Sequence, residues 1–565
     1  MSFRLGRLTG VKVNKLCWGG GYLSGVNVGG KARSIAGWIY RGAWLGLLVA
    51  GAVYLLADYV TLRDWYPAGG PVYRADFWAQ EYFTPRARAW GNYFVAGGMA
   101  LAVAGLLLGP PPFPTRRPRI RPSAPGAWLL VALGVLWVWA QWVLPVTFDE
   151  AFSAVHFSGV GGWRSLSYYA LPNNHVLFNL LNSAPGRLVG DPVLTGRLLG
   201  LLSYLALGAG LYHWLRGGVE HGWPRALLVA LVMSPLAVWG FAAQARGYAL
   251  LLTVGWVAVV GLAGVVRGAR ETHYWMYVVG SVAGFVTVPS FLLVFPALPL
   301  YWVGHCLRRG GGWRGWLVAN GAVAALTYLG YLPALAFSGV GALVDNPYVR
   351  AAPDFGAFAA RLPGLLVDYA DYAFAGLTDG LPGLGVALLL LPPVALLLRP
   401  RPFVWRFLAG LQLVLLPTVA ITILLLRAVP FHRTLVLPMQ LGWLLLAGLL
   451  LNELRRPLAV VSLAALFAAN LWLVPPRWDP RLYYYPVHYT DRKLGELLDH
   501  LPPGAPVRYA DEAFLPRVLG HRRGHPPCAT DCRYLIRADH DAGGAPGPPW
   551  REVAVATAYR LYERR

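Results

Sequence analysis

Two adjacent acids, Asp149 and Glu150, stand close behind an apolar run that ends "WVWAQWVLPVT". On a helix, Asp149, Ser153 and His156 are spaced i, i+4 and i+7, which puts an acid, a hydroxyl and an imidazole on one face. Such a face could line a cavity in which a carboxylate takes a proton from a substrate hydroxyl. The alternative is that acids at the end of an apolar segment simply lie in water.

A second polar stripe lies in "LPNNHVLFNLLNSAPG", residues 171–186. Asn174 is a candidate N-cap for a helix in this segment. His175, Asn179 and Asn182 follow at i, i+4 and i+7, while the rest of the helix surface is mainly apolar. A polar stripe on an apolar helix indicates a helix that faces a cavity or lies at a membrane interface.

Cationic side chains interrupt two further apolar segments, "SPLAVWGFAAQARGYALLL" and "LRAVPFHRTLVLPMQ". The polar residues of these two segments are Gln244, Arg246, Tyr248, Arg427, His432 and Arg433. An arginine near lipid is costly without a counter-ion, which Asp149, Glu150 or a phosphate could supply. The alternative is an arginine that snorkels to the interface. Two cationic edges facing acids and a polar helix suggest a site for an anionic lipid headgroup.

The composition predicts a polytopic membrane protein. Hydrophobic residues make up 56% of the 565 residues, and charged residues only 13%, whereas soluble domains have about 25% charged residues. The net charge of +23 comes from short basic clusters between apolar runs. This arrangement is a topology signal, and it lacks the basic folded face that nucleic acid requires, so no nucleic-acid partner is expected.

A membrane span needs roughly 20 apolar residues, and about thirteen segments qualify. They are residues 36–57, 92–108, 126–145, 197–215, 224–241, 248–266, 273–289, 290–307, 314–333, 381–398, 404–426, 433–452 and 457–474. The predicted fold class is therefore an all-α polytopic membrane protein with about thirteen transmembrane helices and a small C-terminal α/β extracytoplasmic domain.

Basic clusters alternate along the chain and predict its orientation. The basic segment 1–35 and the cluster at 115–121 are expected in the cytoplasm, together with the later short basic loops. The long loops 58–91, 146–196 and 334–380 are then outside, as is the tail. The expected location is a bacterial cytoplasmic membrane, with the chemistry on the outer face.

The chain is predicted to divide into four parts. After the basic segment 1–35 come two extra transmembrane helices and a loop (36–125), a transmembrane core (126–474) and an extracytoplasmic domain (475–565). The extra helices, within 36–108, could dock a membrane protein partner.

The tail after residue 474 shows one helical segment, "TDRKLGELLDHL", and strand-like segments "PVRYAD", "CRYLIRA" and "EVAVATAYRLYE". Because the tail is expected outside, Cys528 and Cys532 are candidates for a disulfide. The alternatives are a zinc site with His521 and His525, or free thiols.

The motifs, in their order and on one predicted side, resemble GT-C glycosyltransferases of the protein mannosyltransferase and aminoarabinose transferase type. The resemblance is carried by "FDEAFS", by "NNHVLFNLLNSAPGRLVGDPVLTGRLLG" and by "FAAQARGYALLL", within residues 126–310. It implies a GT-C-like membrane core and the transfer of a sugar from a polyprenyl-phosphate carrier to a lipid, glycan or protein acceptor, with inversion at the sugar.

The resemblance also implies roles for individual residues. Asp149 matches the family's general base, and Glu150 would orient the acceptor or hold a divalent cation; no cofactor beyond that cation is expected. The residues expected to bind substrate are His156, Asn174, His175, Asn179, Gln244, Arg246, Tyr248, Arg427, His432 and Arg433.

Three other functions are open from the sequence. Val176 and Gln244 stand where such enzymes commonly have Pro and Glu, and these departures support a non-catalytic subunit that binds a lipid or a partner protein. A lipid-phosphate transporter or flippase would also carry charges within a membrane bundle. A metal-dependent hydrolase could use Asp149 with His156, His175 and His432 as ligands, although their spacing matches no zinc motif.

Overall fold

The computed structural model describes a largely helical chain with a small C-terminal sheet. The described residues are 28–68, 76, 78–109, 123–169, 174–268, 271–344, 352, 354–375, 377–430, 432–473, 491–510, 513–528, 532–538, 546, 549–556 and 559–564. The basic cluster 115–121 and most of the basic N-terminal segment lie outside them.

Among the described residues, nine helices are long and apolar enough to cross a membrane. These are Gly37–Leu56, Pro85–Leu108, Ala124–Trp142, Pro192–Gly217, Tyr248–Val266, Pro289–Arg309, Trp313–Phe337, Phe403–Leu426 and His432–Glu453. The chain is therefore a multi-pass membrane protein, as the composition predicted.

The other predicted spans are helical too. A tenth candidate span consists of two helices, Gly222–Met233 and Leu236–Ala242, whose axes differ in direction by 77°. Leu384–Leu397 and Arg456–Leu473 are shorter apolar helices, and Glu271–Thr287 has 17 residues. All thirteen predicted segments are thus helical, while the number of membrane crossings stays a prediction.

The bend and the unwound segment after it bring polar residues into the bundle. Pro235 has no N–H to donate, and it stands at the break between the two bent helices. The chain then leaves helical geometry until Tyr248. The helix Pro192–Trp214 packs closely on this turn, because a Cβ at Gly200 would lie 2.5 Å from the Ala242 carbonyl oxygen, and one at Gly196 would lie 2.8 Å from the Ala245 Cβ.

Short helices fill the predicted outward loops. They are Tyr59–Ala68, the π-helix Trp78–Tyr82, Phe148–Ser153, the π-helix Ala154–Ser158, Gly162–Ser167, Val176–Val189, Gly339–Val344 and Phe355–Ala373. The first two spans belong to the same bundle, since Tyr54 donates to the Ala336 carbonyl over 2.8 Å. Their docking of a partner protein stays a prediction.

The C-terminal segment forms a four-stranded sheet with two helices, Asp491–Leu498 and Phe514–Arg522. Its strands β1 Val507–Tyr509, β2 Tyr534–Ala538, β3 Trp550–Ala556 and β4 Tyr559–Arg564 are ordered β1-β2-β4-β3. The predicted strands are confirmed, except that the last one is two antiparallel strands. The helix Phe514–Arg522 was not predicted. Cys528 and Cys532 form the predicted disulfide, which rules out a zinc site or free thiols there.

Candidate functional site

Asp149 lies in the first turn of the helix Phe148–Ser153, which begins with a capping box. The Thr147 hydroxyl accepts the Glu150 N–H over 3.3 Å, and the Glu150 carboxylate accepts the Thr147 N–H over 2.8 Å. This cap fixes the direction in which the helix leaves the preceding span. Asp149 therefore projects from a defined position at the end of that span.

The Asp149 carboxylate bridges two arginines that come from distant parts of the chain. Its Oδ2 lies 3.2 Å from Arg246 Nη1 and 3.3 Å from Arg433 Nη1. The side chain of Asp149 is 16% exposed, while those of Arg246 and Arg433 are 1% and 8% exposed. Of the counter-ions expected for Arg246, which were Asp149, Glu150 or a phosphate, the structure shows Asp149, and Arg433 contacts the same carboxylate.

Tyr248 supports both guanidinium groups. Its ring centroid lies 5.6 Å from Arg246 Cζ and 5.0 Å from Arg433 Cζ, within the distance at which aromatic rings attract cations. Arg246 Nη2 also lies 3.4 Å from the Tyr248 hydroxyl. The unwound segment before Tyr248 therefore delivers Arg246 to a place where a ring and a carboxylate hold it.

His175 adds a third donor to this group. Its Nδ1 accepts the Gly247 N–H over 2.7 Å, and its Nε2 lies 3.3 Å from Arg246 Nη2. A neutral imidazole has one acceptor nitrogen, so the short contact at Nδ1 leaves the proton on Nε2. Burial and the charges of Arg246 and Arg433 hold the pKa of His175 well below its usual value. His175 is consequently neutral and presents an N–H beside the arginines.

Among Asp149, His175, Arg246 and Arg433, the cationic side chains outnumber the acid. Arg246 and Arg433 carry two positive charges, Asp149 carries one negative charge, and His175 is neutral. Two buried guanidiniums around one carboxylate form a cationic group that can accept a further anion. Guanidinium and imidazole N–H groups suit the oxygens of a phosphate.

Glu150 does not share the site that was predicted for it. Its carboxylate is fully buried and forms a two-point ion pair with Arg197, with Nε to Oε1 at 2.9 Å and Nη2 to Oε2 at 3.1 Å. Backbone N–H groups of Thr147 and Ala245 also donate to it. The Arg197 pair and the backbone contacts hold the pKa of Glu150 below its ordinary value, against the opposing effect of burial. Glu150 is thus a positioning residue, with no oxygen turned to an acceptor or a cation.

Arg197 was missed by the sequence analysis. It stands in the apolar run "LTGRLLGLL", where a lone arginine signals a buried partner. Its Nη1 also donates to Gln141 Oε1 over 2.9 Å, and Gln141 Nε2 donates to the Ala243 carbonyl over 3.1 Å. Together with the Ala245 N–H on Glu150, these bonds tie the Asp149 helix to the unwound segment that carries Arg246.

The asparagines of the predicted polar stripe are structural. Asn174 donates to the carbonyls of Ser165 and Tyr168 and accepts from Asn179 over 3.0 Å. Asn182 accepts from Thr195 over 2.7 Å. The helix Val176–Val189 has His175 as its N-cap position, so the prediction of Asn174 as N-cap was wrong. These side chains hold the loop that presents His175.

His156 faces away from the arginines because the helix turns into a π-helix at Ala154, which breaks the i, i+7 spacing. Its ring lies 4.6 Å from that of Phe152. Burial and the nearby charge of Arg517, in the C-terminal domain, lower the pKa of His156 to about 3. The expectation that His156 binds substrate beside Asp149 is therefore wrong; it lies at the junction with the C-terminal domain.

The remaining predicted residues surround the site less closely. Gln244 is buried, and its carbonyl accepts the Arg246 N–H over 2.8 Å. His432 packs against Tyr369 and Tyr372, with ring centroids 4.7 and 4.5 Å away. Arg427 ends the helix Phe403–Leu426 in a left-handed conformation, with φ of 50°. Of the two arginines proposed at this edge, Arg433 is the one paired with Asp149.

A divalent cation does not fit these residues. Asp149 lies between two guanidiniums, and Glu150 is occupied by a third. No group of three or more His, Cys, Asp or Glu side chains with metal-binding geometry occurs in the described part of the chain. The ligand set expected for a metal-dependent hydrolase is not assembled, since His156, His175 and His432 have separate surroundings.

Comparisons with known proteins give no sequence match and several structural ones. No protein-family model matches the chain, and no curated protein matches it. ArnT from Cupriavidus metallidurans, bound to undecaprenyl phosphate, is 14% identical with a TM-score of 0.42; the match covers 78% of this chain and 98% of that one.

Two longer proteins are also similar. Arabinosyltransferase EmbB from Mycobacterium smegmatis is 13% identical with a TM-score of 0.38, over 76% of this chain and 43% of EmbB. Arabinofuranosyltransferase AftD from Mycobacteria is 15% identical with a TM-score of 0.35, over 78% of this chain and 40% of AftD. The chain is similar to solved structures of GT-C glycosyltransferases, the family that its motifs resemble.

Proposed function

We propose that this protein is a membrane glycosyltransferase that moves a sugar from a polyprenyl-phosphate carrier to an acceptor hydroxyl on the outer face of the membrane. The observation that carries the proposal is the Asp149 carboxylate held between two buried arginines, at 3.2 and 3.3 Å. This cluster offers both parts of the chemistry, namely a base and a cationic site for a leaving phosphate.

The phosphate of the donor would bind to Arg246, Arg433 and the Nε2–H of His175. These donors are already in place before substrate arrives, because Tyr248 supports the arginines and Gly247 fixes the His175 ring. Negative charge grows on the phosphate as the bond from the sugar breaks. Preorganised donors stabilise that charge without reorganising during the reaction.

Asp149 would act on the acceptor. Without substrate, the Asp149 carboxylate forms ion pairs with both arginines. A bound phosphate would replace it in these ion pairs, and the carboxylate could then accept a proton. The acceptor oxygen bonds to the anomeric carbon, the bond from that carbon to the phosphate oxygen breaks, and the hydroxyl proton passes to Asp149. An in-line displacement of this kind inverts the anomeric centre.

The position of the site suits a donor with a lipid tail. Arg246 precedes the apolar helix Tyr248–Val266, and Arg433 lies in the first turn of the segment His432–Glu453. Both are thus at the ends of candidate spans, where the headgroup of a lipid is found. A phosphate can reach the arginines there while its isoprenoid chain remains in the membrane.

A binding measurement with polyprenyl phosphate, which is the leaving group, tests this proposal. The full-length protein in nanodiscs should bind it, and Arg246→Ala should weaken binding about 10- to 100-fold, because a charge-assisted contact is lost. Arg427→Gln is the matched control, since it removes a positive charge at the same edge, and it should change binding less than threefold. Unchanged binding in folded Arg246→Ala would overturn the proposal.

A further inference from the structure

A cavity of about 500 Å³ lies far from Asp149. It is lined by residues from four helices: Trp214, Gly217, Val260, Ala263, Gly264, Arg267, Gly268, His273, Phe403 and Val404. The helix Tyr248–Val266 runs from the Asp149 site to this cavity, and its 19 residues span about 28 Å. The cavity is therefore at the opposite end of the bundle, on the side where the basic loops are expected.

The walls of this cavity are apolar and aromatic, but its rim carries a cation. Arg267 is exposed, and its Cζ lies 5.5 Å from the ring centroid of Phe403. The ring keeps the guanidinium at the mouth of the cavity, because a cation is attracted to an aromatic face. Val260, Ala263 and Val404 give the interior a surface that matches a hydrocarbon chain.

His273 supplies a second polar group. Its Nδ1 is buried and has no hydrogen-bond partner among the described residues. The imidazole packs directly on Gly264, where a Cβ would overlap the ring. The imidazole is thus a polar group within the wall of the cavity.

We propose that this cavity binds an anionic phospholipid of the leaflet on that side. Arg267 would contact the headgroup phosphate, and one acyl chain would lie along Val260 and Ala263. Basic pockets between transmembrane helices bind anionic headgroups in this way. The apolar wall favours a lipid over a free inorganic anion. This site is independent of the chemistry at Asp149.

Native mass spectrometry of the full-length protein, with either phosphatidylglycerol or phosphatidylcholine added in detergent, tests the proposal. The protein should retain one phosphatidylglycerol in preference to phosphatidylcholine. Arg267→Gln should lower retention of phosphatidylglycerol about tenfold, because a charge-assisted contact is lost. Arg456→Gln removes an exposed charge from the same end of the bundle without lining the cavity, and it should have no effect.

A second variant tests the cavity itself. Ala263→Phe fills it and should abolish specific retention, with folding checked by the melting temperature. Equal retention of phosphatidylglycerol in the wild type and in Arg267→Gln would overturn the proposal. Displacement of the lipid by millimolar inorganic phosphate would also overturn it, because the site would then be one for a free anion.

Discussion

Arg433 places its Nη1 3.3 Å from the Oδ2 of Asp149, although 284 residues separate them in the chain. If this guanidinium binds the donor phosphate, Arg433→Gln should raise the apparent KM for donor or lower kcat by about 10- to 100-fold. Arg433→Lys should recover only part of the loss, because an ammonium lacks the forked geometry. Steady-state kinetics in nanodiscs measure both, and equal activity of the Gln variant and the wild type would place the phosphate elsewhere.

The Glu150–Arg197 pair predicts an effect on stability. Removing one partner of a buried ion pair leaves an uncompensated charge, so Glu150→Gln or Arg197→Met should destabilise the protein by roughly 3–5 kcal/mol. The melting temperature in detergent measures this loss. The double variant Glu150→Gln/Arg197→Met should be more stable than the sum of the single losses predicts. Additive losses would show that the two side chains do not act as a pair.

Gly247 controls the position of His175. A Cβ at residue 247 would lie 2.9 Å from His175 Nδ1, and the Gly247 N–H holds that same nitrogen. Gly247→Ala should therefore displace the imidazole and lower kcat about tenfold or more, as small misplacements at a reacting centre do. Gly210→Ala is the control, since a Cβ there meets nothing within 4 Å. Similar kinetics for both alanine variants would show that His175 does not contribute to the phosphate site.

The buried His156 should make the stability of the protein depend on pH. Its pKa is lowered to about 3 in the folded protein by burial and Arg517, so the fold requires the neutral form. Its contribution is complete above the ordinary histidine pKa of about 6.5, and it is lost as the pH falls below that value, by at most roughly 1.4 kcal/mol per pH unit.

The measurement is the melting temperature of wild type and His156→Gln between pH 7.5 and pH 5. The wild type should lose stability more steeply than the variant as the pH falls. Parallel curves would mean that His156 has access to water and is not buried against the C-terminal domain.

The sequence predicted the helices because apolar runs of about 20 residues have one stable form in a membrane. It also predicted that Arg246 needs a counter-ion, which Asp149, Glu150 or a phosphate could supply, since an arginine among apolar residues is costly without one. It did not predict that Asp149 would be the partner of Arg246. That choice depends on Arg197, a lone arginine in an apolar run, which forms an ion pair with Glu150.

Two other features were hidden from the sequence. The π-helix at Ala154 turns His156 away from Asp149, and a one-residue change of helical register leaves no mark in the spacing of residue types. The asparagines were expected to face substrate, but they satisfy backbone carbonyls and each other. The presence of polar residues in an apolar segment thus indicated that these side chains are buried. It did not indicate whether a buried polar side chain has a structural or a catalytic role.

The role of Asp149 as the base is tested by Asp149→Asn. The measurements are the transfer of sugar from a polyprenyl-phosphate donor in membranes with matched expression, and the binding of polyprenyl phosphate. The amide keeps the shape of the carboxylate but cannot accept the acceptor's proton. Transfer should therefore fall by about 10²-fold or more. Binding of polyprenyl phosphate should be unchanged or tighter, since the arginines lose a competing anion. Full transfer activity in Asp149→Asn would contradict the assignment of Asp149 as the base.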